Sequence, residues 1–173
     1  MKNILQEIVS YKKIEIEQSK KIISGESLNR QIKSISKPIS FLNELKKKNE
    51  LGKAGIIAEV KKASPSKGVI KEDFNHIEIA KEYERGGAAC LSILTDTPSF
   101  QGSPEYLKDI RRNTKLPILR KDFIIDTYQI IESRSWGADC ILLIMKILKN
   151  EELSKLINIC NEMDMDILFE INS

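Results

Sequence analysis

Residues 90–121 read CLSILTDTPSFQGSPEYLKDIRRNTKLPILRK, and this stretch decides the fold. It opens on an apolar run, Cys90-Leu91-Ser92-Ile93-Leu94, too short for a helix and long enough for a buried strand. Ser103-Pro104 then supplies an N-cap followed by proline at the first helical position. A second apolar run, Leu116 to Leu119, closes the unit. Strand, helix and strand in this order make a crossover connection, so the two strands are expected to run parallel.

The alternation extends in both directions. Upstream, Ile56-Ile57-Ala58 forms an apolar run, and Asn75 can cap a helix over Ile77 to Arg85 that Gly86-Gly87 ends. Downstream, Asp126 can cap Tyr128 to Trp136, with Gly137 as the stop. Cys140 to Met145 follows as a strand, Asn150-Glu151-Glu152 opens a helix over Leu153 to Met163, and Ile167 to Ile171 is a last strand. Near-continuous apolar strands imply that both sheet faces are covered. The class is α/β with a parallel sheet; an open doubly wound sheet and a (β/α)₈ barrel both satisfy the alternation.

Residues 1–52 follow a different rule. Ile4, Ile8, Tyr11, Glu15 and Ile22-Ile23 recur at helical spacing until Gly25 is expected to stop the run. A short helix over Leu28 to Ile35 is broken at Pro38, and Ser40 can cap another through Phe41 to Lys48. The expected division is therefore a helical extension, 1–52, and a strand–helix domain, 53–173.

Composition excludes several classes. The 173 residues are 41% hydrophobic and 31% charged, which a disordered or low-complexity chain is not. Lys+Arg 28 against Asp+Glu 25 leaves +3, too balanced for a dedicated nucleic-acid binder. No apolar run approaches the roughly 20 residues that cross a bilayer. Met1-Lys2-Asn3-Ile4 leads into a charged amphipathic pattern and not a signal peptide, so a cytoplasmic protein with no membrane or nucleic-acid partner is expected. Cys90, Cys140 and Cys160 form no CxxC pair, and Cys90 and Cys140, in apolar runs, read as small hydrophobes. His76, the only histidine, sits at a helix start and reads as a surface or capping-region residue.

Parallel α/β domains carry their chemistry at the carboxyl ends of the strands. There the sequence places Glu59 and Lys61 after the first strand, Lys121 after the third and Glu170 on the fifth. Glu59 and Lys61 alternate with Ala58 and Val60, so both face one side of the sheet. Two cations and two carboxylates converging from three strands suit acid–base work on an anionic substrate.

The segment Ile57-Ala58-Glu59-Val60-Lys61-Lys62-Ala63-Ser64-Pro65-Ser66-Lys67-Gly68 resembles the signature of indole-3-glycerol phosphate synthase. Leu91 to Asp96, Phe100-Gln101-Gly102-Ser103, Ile118 to Ile124 and Gly137 to Ile144 agree with the family in order and spacing. The resemblance implies a TIM barrel with an N-terminal helical cap. It implies decarboxylating ring closure and dehydration of 1-(2-carboxyphenylamino)-1-deoxyribulose 5-phosphate, a phosphorylated small molecule, in tryptophan biosynthesis, with no metal or organic cofactor. Carried over by motif, Lys121 resembles the general acid of ring closure and Lys61 the residue holding the substrate carboxylate. Lys61 is also expected to lower the pKa of Lys121. Glu170 resembles the acid/base group of dehydration, and Glu59 the carboxylate that orients the lysines. Ser64 resembles a contact in the loop closing near the phosphate; Leu94, Phe100 and Leu142 resemble the lining of the anthranilate pocket. Asp122 is expected to orient Lys121. Another phosphate-binding barrel, such as an isomerase, shares the fold without accounting for this residue set.

The sequence ends at Asn172-Ser173, whereas a (β/α)₈ barrel takes about 250 residues. Strands six to eight of the family pattern are absent from it, and with them most of the phosphate site. The expectation is a partial barrel whose first and fifth strands have open edges, suited to self-association or complementation. An inactive fragment serving at most as an association module is the alternative to an enzyme.

Overall fold

The computed structural model describes residues 4–71 and 73–171. Met1 to Asn3, read as leading into the amphipathic pattern, and Asn172-Ser173, which follow the last expected strand, lie outside the described residues. Three helices come first: α1 (Ile4–Ile22), α2 (Gly25–Ile32) and α3 (Phe41–Glu50). Then β1 (Ile57–Val60) leads to a small hairpin of β2 (Ala63–Ser64) and β3 (Gly68–Val69). The remainder alternates through α4 (His76–Arg85), β4 (Cys90–Leu94), α5 (Thr97–Phe100), α6 (Pro104–Asn113), β5 (Ile118–Lys121) and α7 (Thr127–Trp136). It ends with β6 (Cys140–Ile144), a 3₁₀ turn over Met145–Ile147, α8 (Asn150–Glu162) and β7 (Asp166–Glu170).

The main sheet has the order β1-β4-β5-β6-β7, each strand parallel to the next. Strand order following chain order is the barrel solution; a doubly wound sheet would reverse direction at a switch point. Five strands do not close a barrel, and among the described residues β1 and β7 each have one neighbour. The expected α/β partial barrel is what the chain forms.

Alternation along each strand separates two cores. Ala58, Val60, Leu91, Ile93, Ile118, Ile141 and Leu143 pack with Ala80 of α4, Leu107 and Ile110 of α6, Ile130 of α7 and Leu156 of α8. The opposite face gathers Cys90, Leu119, Cys140, Leu142 and Ile144, joined by Ile8 of α1 and Phe41 of α3. All three cysteines are buried free thiols, and burial pushes those of Cys90 and Cys160 up to about 12. They behave as hydrophobes, as their apolar surroundings suggested.

The N-terminal helices hold the two ends of the sheet. At the amino end of the strands, the Ile39 N–H donates to Asp139 at 2.8 Å and Ser40 donates to Asp166 at 3.1 Å. At the carboxyl end, Tyr11 and Lys12 of α1 reach Asp96, which follows β4, and Lys12 also reaches Asp122, which follows β5. Lys20 of α1 reaches Asp126 at 2.9 Å.

Several local expectations need correction. Gly25 does not terminate α1. Ser24 does so by becoming the N-cap of α2, its Oγ accepting from the Ser27 N–H at 3.2 Å, so α2 begins earlier than Leu28 and ends at Ile32. His76 does lie in the capping region, as the first residue of α4, with its ring 3.0 Å from Asp109 and packed against Tyr106. The caps at Ser40, Asn75, Ser103 and Asp126 all form.

Candidate active site

The carboxyl ends of β4, β5, β6 and β7 enclose a cavity of about 120 Å³. Leu94, Phe100, Lys121, Leu142, Ile144 and Glu170 line it. Register puts them there. Leu94 pairs with Lys121 across β4 and β5, and Ile144 pairs with Glu170 across β6 and β7. Lys121 donates to the Glu170 carboxylate at 3.3 Å, both half-buried. Of the residues singled out from the sequence, six therefore share one cavity: Leu94, Phe100, Lys121, Asp122, Leu142 and Glu170.

Glu59 and Lys61 do not line this cavity. They form their own ion pair at 2.5 Å at the end of β1, two strands away from Lys121 in the sheet order. The cationic neighbour expected for Lys121 is thus engaged with Glu59, and the partner Lys121 meets is an anion. Four charges are arranged as two ion pairs on one rim. Each pair holds its long lysine chain in place at the strand end.

Ser64, expected in a loop, sits in the β2–β3 hairpin. Its hydroxyl and carbonyl both accept from the Lys67 N–H at 3.3 Å, closing the Ser64–Lys67 turn. Gly68 takes φ +64, the left-handed conformation that ends such a turn without a Cβ penalty. Helix α5 packs against β2, which brings the hairpin up to the element carrying Phe100.

Phe100 is placed by a compact loop. Asp96 caps α5 by accepting from the Ser99 N–H at 3.0 Å, and Gln101 leaves the helix at φ 49. Gly102 then lies against the end of β4: a Cβ there would be 2.5 Å from the Leu94 carbonyl oxygen and 2.9 Å from that of Asp96. Only a glycine lets the backbone approach so closely.

Beneath the cavity lies a buried ionic network that the sequence reading missed. Lys12 Nζ is 2.9 Å from Asp96 Oδ1 and 2.9 Å from Asp122 Oδ1, with all three side chains fully buried. Glu15, half exposed, is a third partner at 2.9 Å. The Arg120 guanidinium bonds Asp122 at 3.0 Å and Glu132 at 2.9 Å and stacks 4.1 Å from the Trp136 ring. Thr95 donates to Asp122 at 2.5 Å. Burial alone would raise the Asp122 carboxyl and lower Lys12. Arg120 and Lys12 overcome this and hold Asp122 down to about 2, while Asp122, Asp96 and Glu15 hold Lys12 above the ordinary lysine range. The Asp122 carboxylate thus turns inward to Lys12, Thr95 and Arg120, which corrects the expectation that it orients Lys121 directly. One signal was available: Lys12 falls midway between the buried Ile8 and Ile16, a cation on the apolar stripe of α1.

A larger cleft, about 570 Å³, lies beside α1 between Val9, Ile16, Ile125 and Ile147; none of the candidate catalytic or substrate-binding residues lines it.

A parallel sheet in chain order, covered by helices and carrying ionisable side chains at its carboxyl ends, defines the (β/α)-barrel class. A family model described as indole-3-glycerol phosphate synthase matches residues 5–173, and the chain belongs to that family. A protein named indole-3-glycerol phosphate synthase from Neisseria meningitidis serogroup B is 46% identical over 173 residues, covering 99% of this chain and 66% of the relative. One of the same name from Prochlorococcus marinus subsp. pastoris is 50% identical over 171 residues, covering 99% of this chain and 57% of the relative. The chain thus spans about 57% to 66% of the length of these relatives. Among the described residues no helix is long and apolar enough to cross a membrane.

Proposed function

We propose that this chain carries the acid–base groups of an indole-3-glycerol phosphate synthase, acting on 1-(2-carboxyphenylamino)-1-deoxyribulose 5-phosphate. The observation that carries this reading is the Lys121–Glu170 pair at 3.3 Å on the rim of a cavity walled by Leu94, Phe100 and Leu142. An aromatic ring needs an apolar slot, and closing a five-membered ring onto a ketone needs a proton delivered to its oxygen at the slot's edge. Lys121 is the proton donor in this reading. As the ring carbon attacks the carbonyl carbon, the Lys121 ammonium protonates the developing alkoxide; carbon dioxide then leaves and the ring regains aromaticity. Glu170, in contact with Lys121, serves the loss of the resulting hydroxyl as water.

Glu59 and Lys61 take the substrate carboxylate end: the carboxylate displaces Glu59 from Lys61 in part, so binding exchanges one ion pair for another. Ser64, on the hairpin packed against α5, contacts the phosphate end. Residues 1–52 serve as the helical extension and 53–173 as the barrel portion. The alternative, an inactive association module, gains nothing from the open edges of β1 and β7, which any unclosed parallel sheet presents.

The test is turnover of the carboxyphenylamino-deoxyribulose phosphate by the purified chain, followed by indole fluorescence. It is run alone and with a separately expressed segment supplying strands six to eight of a relative. Product in either condition supports the reading; a folded chain silent in both overturns it for this chain.

A further inference from the structure

We propose that Lys12 is a positioning residue: its buried ammonium ties the loop that carries Phe100 to the strand end that carries Lys121, and so sets the width of the cavity. This rests on the cavity being the reacting site, as argued above. The geometry is specific. Asp96 caps α5 through its Oδ2, and its Oδ1 faces Lys12 at 2.9 Å and the Tyr11 hydroxyl at 2.9 Å. Asp122 is bonded through its Oδ2 to Arg120 and Thr95, and its Oδ1 faces Lys12 at 2.9 Å and accepts from the Phe123 N–H at 2.8 Å. One ammonium therefore stands between two carboxylates that would otherwise repel. One caps the helix ending at Phe100, and the other is covalently next to Lys121.

A buried ion cluster seldom stabilises more than well-packed apolar residues of the same volume, so cohesion alone does not call for a lysine on this stripe. A cation with two fixed anions does define a distance, which leucine packing does not. Lys12 also comes from a helix outside the barrel strands, so docking of α1 and the setting of the cavity are one event.

The experiment uses the full chain with methyl-labelled Leu and Ile, comparing wild type with Lys12→Met. The expected result is displaced or broadened methyl resonances for Leu94, Leu142 and Ile144, with those of Leu107, Ile110 and Leu156 in the helix-side core unchanged. Should Lys12→Met not fold, Asp96→Asn carries the test. Asparagine still caps α5 and Lys12 keeps Asp122 and Glu15, so no charge is left buried alone. There the resonances of Leu94 are expected to move while the helix-side core again stays in place. Where the wild-type chain or its complemented form turns over, kcat is expected to fall by roughly 10²-fold with KM changed by less than about threefold, as for a misplaced reacting group. A silent wild type counts against the proposed function and leaves the methyl readout to decide this one. Cavity methyls unmoved in a folded variant, with melting temperature alone lowered, would show that Lys12 is merely structural and overturn the proposal.

Discussion

Replacing Gly102 with alanine tests whether the cavity's wall is set by backbone contact. The new Cβ would lie 2.5 Å from the Leu94 oxygen, 2.7 Å from the Leu94 carbonyl carbon and 2.9 Å from the Asp96 oxygen. Those neighbours are backbone, one belonging to a central strand, so no flexible side chain can swing aside. The loop must move outward, which also strains the Gly102 N–H bond to the Asp96 carbonyl at 2.9 Å. Overpacking costs about 1–3 kcal/mol and a lost hydrogen bond about 1 more, so a loss of about 3 kcal/mol is expected. For a chain this size that lowers the melting temperature by roughly 6–12 °C. Gly25→Ala is the matched control: nothing lies within 4 Å of its added Cβ and it starts a helix, so its stability should change by less than about 1 kcal/mol. Urea unfolding of both variants, with equal m-values, gives the comparison. A Gly102→Ala protein as stable as wild type would refute the claim that this contact holds Phe100 in place.

Three further outcomes follow from the same network and site. Arg120→Met leaves Asp122 and Glu132 without their shared guanidinium and should cost about 3–5 kcal/mol by chemical unfolding; a loss under 1 kcal/mol would mean the buried acids find other partners. Asp122, held down to about 2 from 3.8, contributes stability that is fully present above pH 4 and is lost as pH falls through 2. The stability gap between wild type and Asp122→Asn should therefore shrink by on the order of 2 kcal/mol between pH 5 and pH 2. A constant gap would contradict the depressed value. In a complete homologous enzyme, Lys121→Ala should abolish ring closure with the fold intact, and Glu170→Gln should lower kcat more than it raises KM. Unimpaired turnover by the first, or an affinity loss alone in the second, would reverse those assignments.

Much of this protein was legible one residue at a time. The apolar runs from Cys90, Ile118, Cys140 and Ile167, and the caps at Asn75, Ser103 and Asp126, are local signals: they depend on neighbours within a turn or two and need no partner elsewhere. They were enough for a parallel α/β sheet, and strand-end position was enough to pick out Glu59, Lys61, Lys121 and Glu170. What the linear pattern left open was which of them meet. Pairing across the rim depends on strand order and register, and register joined Lys121 to Glu170 while leaving Lys61 with Glu59. That Lys12, Asp96 and Asp122 meet was not legible either, for a related reason. A lysine on an apolar stripe looks like an error in the pattern until two carboxylates from the ends of β4 and β5 are brought to 2.9 Å from it. Periodicity is a property of the chain; the company a buried charge keeps is a property of the fold.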